Sequence, residues 1–229
     1  MESNTLLSLL HLCDPALPIG SFSHSAGLET YVQQNIVNSK ESAREFIIQQ
    51  LSQNIFYTDA ALASLIYDAA CAGNLEKIIQ LDELCNAVKL PMETRFASNK
   101  LGIRLLKIFE VNRDFILPNK YRNAINAKVA CGHYCISFSL LAYAMKINKK
   151  EMLVAFYYNA ATGFITNAVK LIPLGQQDGQ EMLMSLFPLI NELAQASLTP
   201  DENLIGYCCA GFDIRCMQHE QLYSRLYMS

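Results

Sequence analysis

The chain has 229 residues, enough to bury a full core in one large domain or two small ones. Apolar residues make up 52% and charged residues 17%, where an average globular protein has about 25% charged; so few charges predict apolar surface that another chain covers. A formal net charge of -3 and a pI near 5.8 argue against a nucleic-acid backbone as the main partner, since that requires a basic face.

Strand signals are almost absent. Leu6, Leu7, Leu9, Leu10 and Leu12 predict a short first helix ending at Asp14-Pro15. Pro15 and Pro18 then fix their own φ angles and push Asp14 and Leu17 toward extended geometry, and Gly20 permits a sharp turn. Ser21, Ser23 and Ser25 offer capping hydroxyls for a helix from Ser23 to about Gln34, while Leu17, Ile19 and Phe22 need apolar cover. Such a loop is either a well-made connection or a docking surface, and periodicity does not choose between them.

Asn38 with Glu41 has capping-box spacing, opening a helix through Ala43, Phe46, Ile47 and Leu51. Thr58 caps the next, which carries Leu62, Leu65, Ile66 and Ala69 up to Gly73. Asn74 begins another through Leu75, Ile78, Ile79, Leu81 and Leu84, stopping before Pro91. A helix over about Glu93 to Glu110 precedes a loop at Leu117-Pro118-Asn119 and a shorter helix over Tyr121–Lys128. Cys131–Lys146 and Lys149–Leu171, apolar on most of their faces, are expected to be the most buried. Pro188 should kink or break a helix over Asp178–Ala196. Thr199-Pro200-Asp201-Glu202 has the marks of a strong helix start. After Gly211 the periodicity fades, so a polar, partly extended tail is expected from about residue 212. With no repeat or linker, residues 1–229 make a single all-α domain, a bundle of about ten helices.

Eight cysteines in so core-rich a chain are better taken as free thiols in a reducing cytosol than as disulfides. No secretion signal marks the N-terminus, and no apolar run reaches the roughly 20 residues of a membrane span. Cys131, His133 and Cys135 favour packing over a zinc site, with the two thiols on one helical face. Cys208, Cys209, Cys216, Met217 and His219 form a denser group of soft ligands without a metal-site spacing. There is no phosphate loop, nucleophile elbow or His-Glu-x-x-His. The pairs Asp82-Glu83 and Asp201-Glu202 are placed at helix surfaces or starts. His219, Glu220, Tyr223 and Arg225 suit a segment that orders against a partner.

Several segments spread along the chain form one pattern. They are Pro15-Ala16-Leu17-Pro18-Ile19-Gly20-Ser21-Phe22-Ser23-His24-Ser25 with Gly27-Leu28-Glu29, Glu93-x-Arg95 with Gly102, and Gly132-His133. The pattern continues through Leu171-Ile172-Pro173-Leu174-Gly175-Gln176, Asp213-Ile214-x-x-Met217-x-His219-Glu220 and Tyr223-Ser224-Arg225-Leu226. Together these segments resemble the urease accessory protein family UreF. The chain departs from the family at Tyr227-Met228-Ser229, where Phe-Arg-Ser is common, and at Lys170, often arginine.

The resemblance implies an all-α, dimeric, non-enzymatic cytoplasmic chaperone component. It would join UreD (also called UreH) and the GTPase UreG to insert nickel into apo-urease, bridging the two and modulating GTP hydrolysis. Pro15, Pro18, Gly20, Phe22, Ser23, His24, Gly27, Glu29, Gln176, Asp213, His219, Glu220, Tyr223, Ser224 and Arg225 are the implied partner contacts. No cofactor is expected to be permanently bound; transient nickel could meet Cys208, Cys209, Cys216 or His219. The rival class is an all-α thiol enzyme of the thiaminase/TenA type, with Cys135, Tyr134 and Glu93 in the catalytic roles.

Overall fold

A computed structural model describes residues 3–20, 24–25, 27–111, 114–207, 209–223 and 225–226. Among these every regular element is helical. In chain order they are α1 (Ser3–Leu12), α2 (Leu28–Gln33), α3 (Lys40–Gln49), a π-helical stretch (Gln50–Ala60), α4 (Ala61–Cys71), α5 (Leu75–Val88) and α6 (Met92–Ile108). There follow α7 (Ile116–Asn126), α8 (Tyr134–Ala144), α9 (Lys149–Leu171), α10 (Gln176–Ser185), α11 (Phe187–Ala196) and α12 (Ala210–His219). No helix among the described residues is long and apolar enough to cross a membrane.

One contiguous core holds the bundle together. α8 is its axis, with Cys135 through Ala142 all buried, and it packs between α4 and α6. α9 occupies its expected residues and lies against α10, α11, α3 and the π-helical stretch. Asn148 caps it by accepting from the Glu151 amide at 2.9 Å, and Asn74 caps α5 likewise from Lys77 at 3.0 Å.

Several local expectations are corrected. The capping box of α3 is Ser39 with Ser42, one residue later than Asn38 with Glu41; Asn38 turns its amide back to the Asn35 carbonyl instead. Thr58 caps nothing. No glycine or proline interrupts residues 40–71, so α3, the π-helical stretch and α4 run on without a break, and the Thr58 hydroxyl donates to the Asn54 carbonyl one turn back. Leu117, Pro118 and Asn119 open α7 rather than preceding it, since a first-turn proline gives up no helical hydrogen bond. The second start is later than expected, because α2 begins at Leu28 behind Gly27, whose φ of 79° suits glycine. Pro188 does break the helix, in the first turn of α11. The strong start at Thr199 gives only a 3-10 turn over Glu202–Leu204; Gly206, at φ +80°, donates its amide to the Tyr57 carbonyl (2.9 Å) and ties the chain down before a second turn can form.

Residues 131–133 are not helical: Gly132 turns at φ +86°, and His133 is the extended residue before α8. Cys131 and Cys135 therefore share no helical face. Asp82, expected on a surface, is fully buried beneath this segment. Its carboxylate accepts from the amides of Cys131, Gly132 (3.3 Å) and His133 (3.2 Å) and from the Tyr121 hydroxyl (2.7 Å). Gly102 of α6 meets the same segment: a Cβ there would fall 2.6 Å from the His133 carbonyl carbon and 2.7 Å from its oxygen. Backbone cannot step aside as a side chain can. Gly102→Ala is expected to cost about 1–3 kcal/mol, checked by urea unfolding.

The π-helical stretch is joined to the end of α5 by an ion pair, Lys89 Nζ to Asp59 Oδ2 at 2.6 Å, each side chain only 10% exposed. Burial alone would raise the Asp59 carboxyl, but the adjacent Lys89 ammonium and the Thr58 hydroxyl outweigh it and hold it below the usual carboxylate range. Stability from this shift is complete above the unfolded value near about 4 and is lost as pH falls through the lower folded value. Asp59→Asn is expected to flatten that acid-side loss. Urea midpoints taken from about pH 7 down to 3 in both proteins measure it.

Candidate partner-binding site

The N-terminal loop and the C-terminal segment, far apart in sequence, meet on one face. In the loop Leu17 and Ile19 turn inward while Pro15 and Pro18 stay exposed. Gly20, at φ +86°, lets the chain pass against Arg104, whose Nη1 donates to the Ile19 carbonyl at 3.0 Å. His24 is half-buried, and its carbonyl accepts from Asn167 Nδ2 at 2.8 Å. Phe22 and Ser23 lie outside the described residues.

The expected extended tail is a helix as far as His219. α12 buries Phe212, Cys216 and His219, at helical spacing, against α2 and the start of α6. Gly27 makes room for it: a Cβ there would lie 2.7 Å from the Cys216 sulfur and 3.1 Å from the Phe212 ring. The Thr30 hydroxyl donates to the Arg215 carbonyl at 3.0 Å, and Gln34 reaches Gln218 at 3.2 Å.

At the centre is His219, fully buried between two carboxylates. Its Nε2 is 3.1 Å from Glu29 Oε2 and its Nδ1 is 2.9 Å from Glu93 Oε2. Arg225 Nη1 donates to Glu93 Oε1 at 2.8 Å, and the Leu226 amide donates to Glu29 Oε1 at 2.8 Å. Glu29, 1% exposed, is thus buried with its carboxylate held by the His219 ring and the Leu226 amide. Glu93, in the first turn of α6, is absent from the sequence-predicted contacts although its pairing with Arg95 in the family segment singled it out.

The outer face of this segment is apolar: Ile214, Met217, Tyr223 and Leu226 are all exposed. Asp213 is half-buried and lines a cavity of about 240 Å³ with Thr58, Leu90, Tyr207 and Cys209; burial raises its carboxyl, opposed by the Lys89 charge. Glu220 ends α12, half-buried. Gln176 is not brought to this face through α10, which packs on α9; it is exposed at that helix's first residue. Ser224 and Cys208 lie outside the described residues.

Cys209 is half-buried and Cys216 is buried, its thiol pushed up to about 12 by desolvation. Among the described residues no three His, Cys, Asp or Glu side chains converge to hold a metal ion. Nor are the residues of the rival enzyme reading assembled as a catalytic set. The Cys135 sulfur faces Cys85 and its thiol is raised, whereas Glu93 is engaged by His219 and Arg225.

The profile of the UreF family matches residues 37–187. The chain belongs to the UreF family. It is 50% identical over 222 residues to the urease accessory protein UreF of Haemophilus influenzae, covering 97% of this chain and 94% of that one. Its identity to the protein of the same name in Actinobacillus pleuropneumoniae is 49%, covering 97% and 98%. The UreF of Bacillus sp. TB-90 is 36% identical over 227 residues, 99% of this chain and all of that one. The all-α fold is the one the resemblance implied. The loop and tail meeting here flank the family-matched region, and the relatives' similarity extends over both.

Proposed function

We propose that this chain is a cytoplasmic scaffold for urease maturation. As a homodimer it bridges a UreD (UreH)-type accessory protein and a UreG-type GTPase, modulates GTP hydrolysis, and supports nickel insertion into apo-urease without catalysing a reaction itself. Nickel is cargo in this reading, passing transiently. Family membership supports the pathway, and the observation that carries the location is the docked tail: its inner face is held by Glu29 and Glu93 while Ile214, Met217, Tyr223 and Leu226 face outward. Exposed apolar side chains beside a polar network are what a partner's hot-spot residues engage.

Arg225 separates recognition from folding. Its side chain is 41% exposed, so the Glu93 pair contributes little to stability, roughly 0–1 kcal/mol. Arg225→Ala is expected to leave the melting temperature unchanged yet weaken binding to the UreD-type partner by about 2 kcal/mol, roughly 30-fold in Kd. Titration of the two purified full-length chains by calorimetry measures this. Unchanged affinity would sink the assignment of this face, and failure of the unsubstituted chain to bind either partner would sink the scaffold reading.

A further inference from the structure

Away from the tail, α5 and α8 bring two thiols together. Cys85 stands one turn after Asp82 on α5, and Cys135 is in the first turn of α8. Both are fully buried, and their sulfurs are 3.7 Å apart. The contact follows from the Asp82 carboxylate, which fixes the amides of residues 131–133 and so sets where Cys135 lies along α5. His133, also fully buried, shares a hydrogen bond between Nδ1 and the Ser98 hydroxyl at 3.1 Å.

We propose that Cys85 and Cys135 are an oxidisable pair, a modification site at which a peroxide closes a disulfide between α5 and α8. Sulfurs already in contact need only small side-chain rotations to reach a bond of about 2 Å. The surroundings also divide the roles. Burial opposes a Cys85 thiolate, but the Cys135 thiol, the His133 ring and the Lys89 charge outweigh it and lower Cys85, while its neighbour is raised and keeps its proton. Cys85 is therefore the attacking sulfur and Cys135 the resolving one.

The Cys85 thiolate attacks one peroxide oxygen, the O–O bond breaks, and hydroxide leaves, taking a proton to become water. The resulting sulfenic acid is attacked by the Cys135 sulfur; the S–O bond breaks, and the departing oxygen leaves as water with the Cys135 proton. Two thiols and one hydrogen peroxide give one disulfide and two waters. The sulfur pair loses two electrons and the peroxide gains them.

The test treats the reduced full-length chain with hydrogen peroxide and follows it by intact mass and peptide mapping without reductant. Exposed Cys71 serves as the internal control for oxidant delivery. The expected product lacks two hydrogens, yields a linked Cys85–Cys135 peptide, melts at a higher temperature and reverts with dithiothreitol. In Cys135→Ala the oxidation should stop at Cys85 sulfenic acid, captured by dimedone. Oxidation of Cys71 with Cys85 and Cys135 both left as thiols overturns the proposal, as does a disulfide joining either of them to a different cysteine. The mapping of the unsubstituted chain decides the matter even where the variant fails to fold.

Discussion

Asp82→Ala is expected to cost roughly 3–5 kcal/mol, a large share of the about 5–15 kcal/mol that holds a typical domain together. The substitution strands three consecutive backbone amides and the Tyr121 hydroxyl, and of these the groups of Gly132, His133 and Tyr121 are buried. Those amides belong to the segment that starts α8, the axis of the core, so the loss spreads beyond one contact. Asp82→Asn keeps an acceptor oxygen but turns an amide group toward other donors, and should recover only part of the loss. Urea unfolding of the two variants against the unsubstituted chain measures both. Equal midpoints for all three would show that the segment is held by packing alone.

Glu29→Ala should act as strongly but more locally. It removes the partner of both His219 Nε2 and the Leu226 amide, leaving the buried ring with one carboxylate instead of two. Breaking a buried pair on one side costs about 3–5 kcal/mol, which the chain can relieve by releasing α12 instead of unfolding. Amide exchange over Ala210–His219 should then accelerate by two to three orders of magnitude or more, roughly the same energy in rate terms, while α8 and α9 stay protected. An unchanged exchange pattern would mean that Phe212 and Cys216 suffice to dock the helix.

The parts legible in the sequence were those set by neighbours three or four residues away. α9 runs from Lys149 to Leu171 as its pattern demanded, because its Asn148 cap and its apolar positions are local facts. α12 is hidden in the sequence although Phe212, Cys216 and His219 have helical spacing, since none of the three is aliphatic and the period is carried by a ring, a thiol and an imidazole. Asp82 was missed for the same reason: Ile78, Leu81 and Cys85 place it on the buried face of α5, but a carboxylate there makes sense only once its four donors are seen. The resemblance drew attention to Glu29 and His219 separately. Nothing local joins them, because their contact spans 190 positions and its third member, Glu93, sits on another helix.

That separation sets a timetable for biosynthesis. A ribosome adding about 5–20 residues per second delivers His219 roughly 10–40 s after Glu29. Through that interval the glutamate has no imidazole to receive, so the first face of the protein to emerge is the last to be finished. Nascent chains paused short of their final helix should therefore keep that carboxylate in water and leave the surface around Gly27 uncovered.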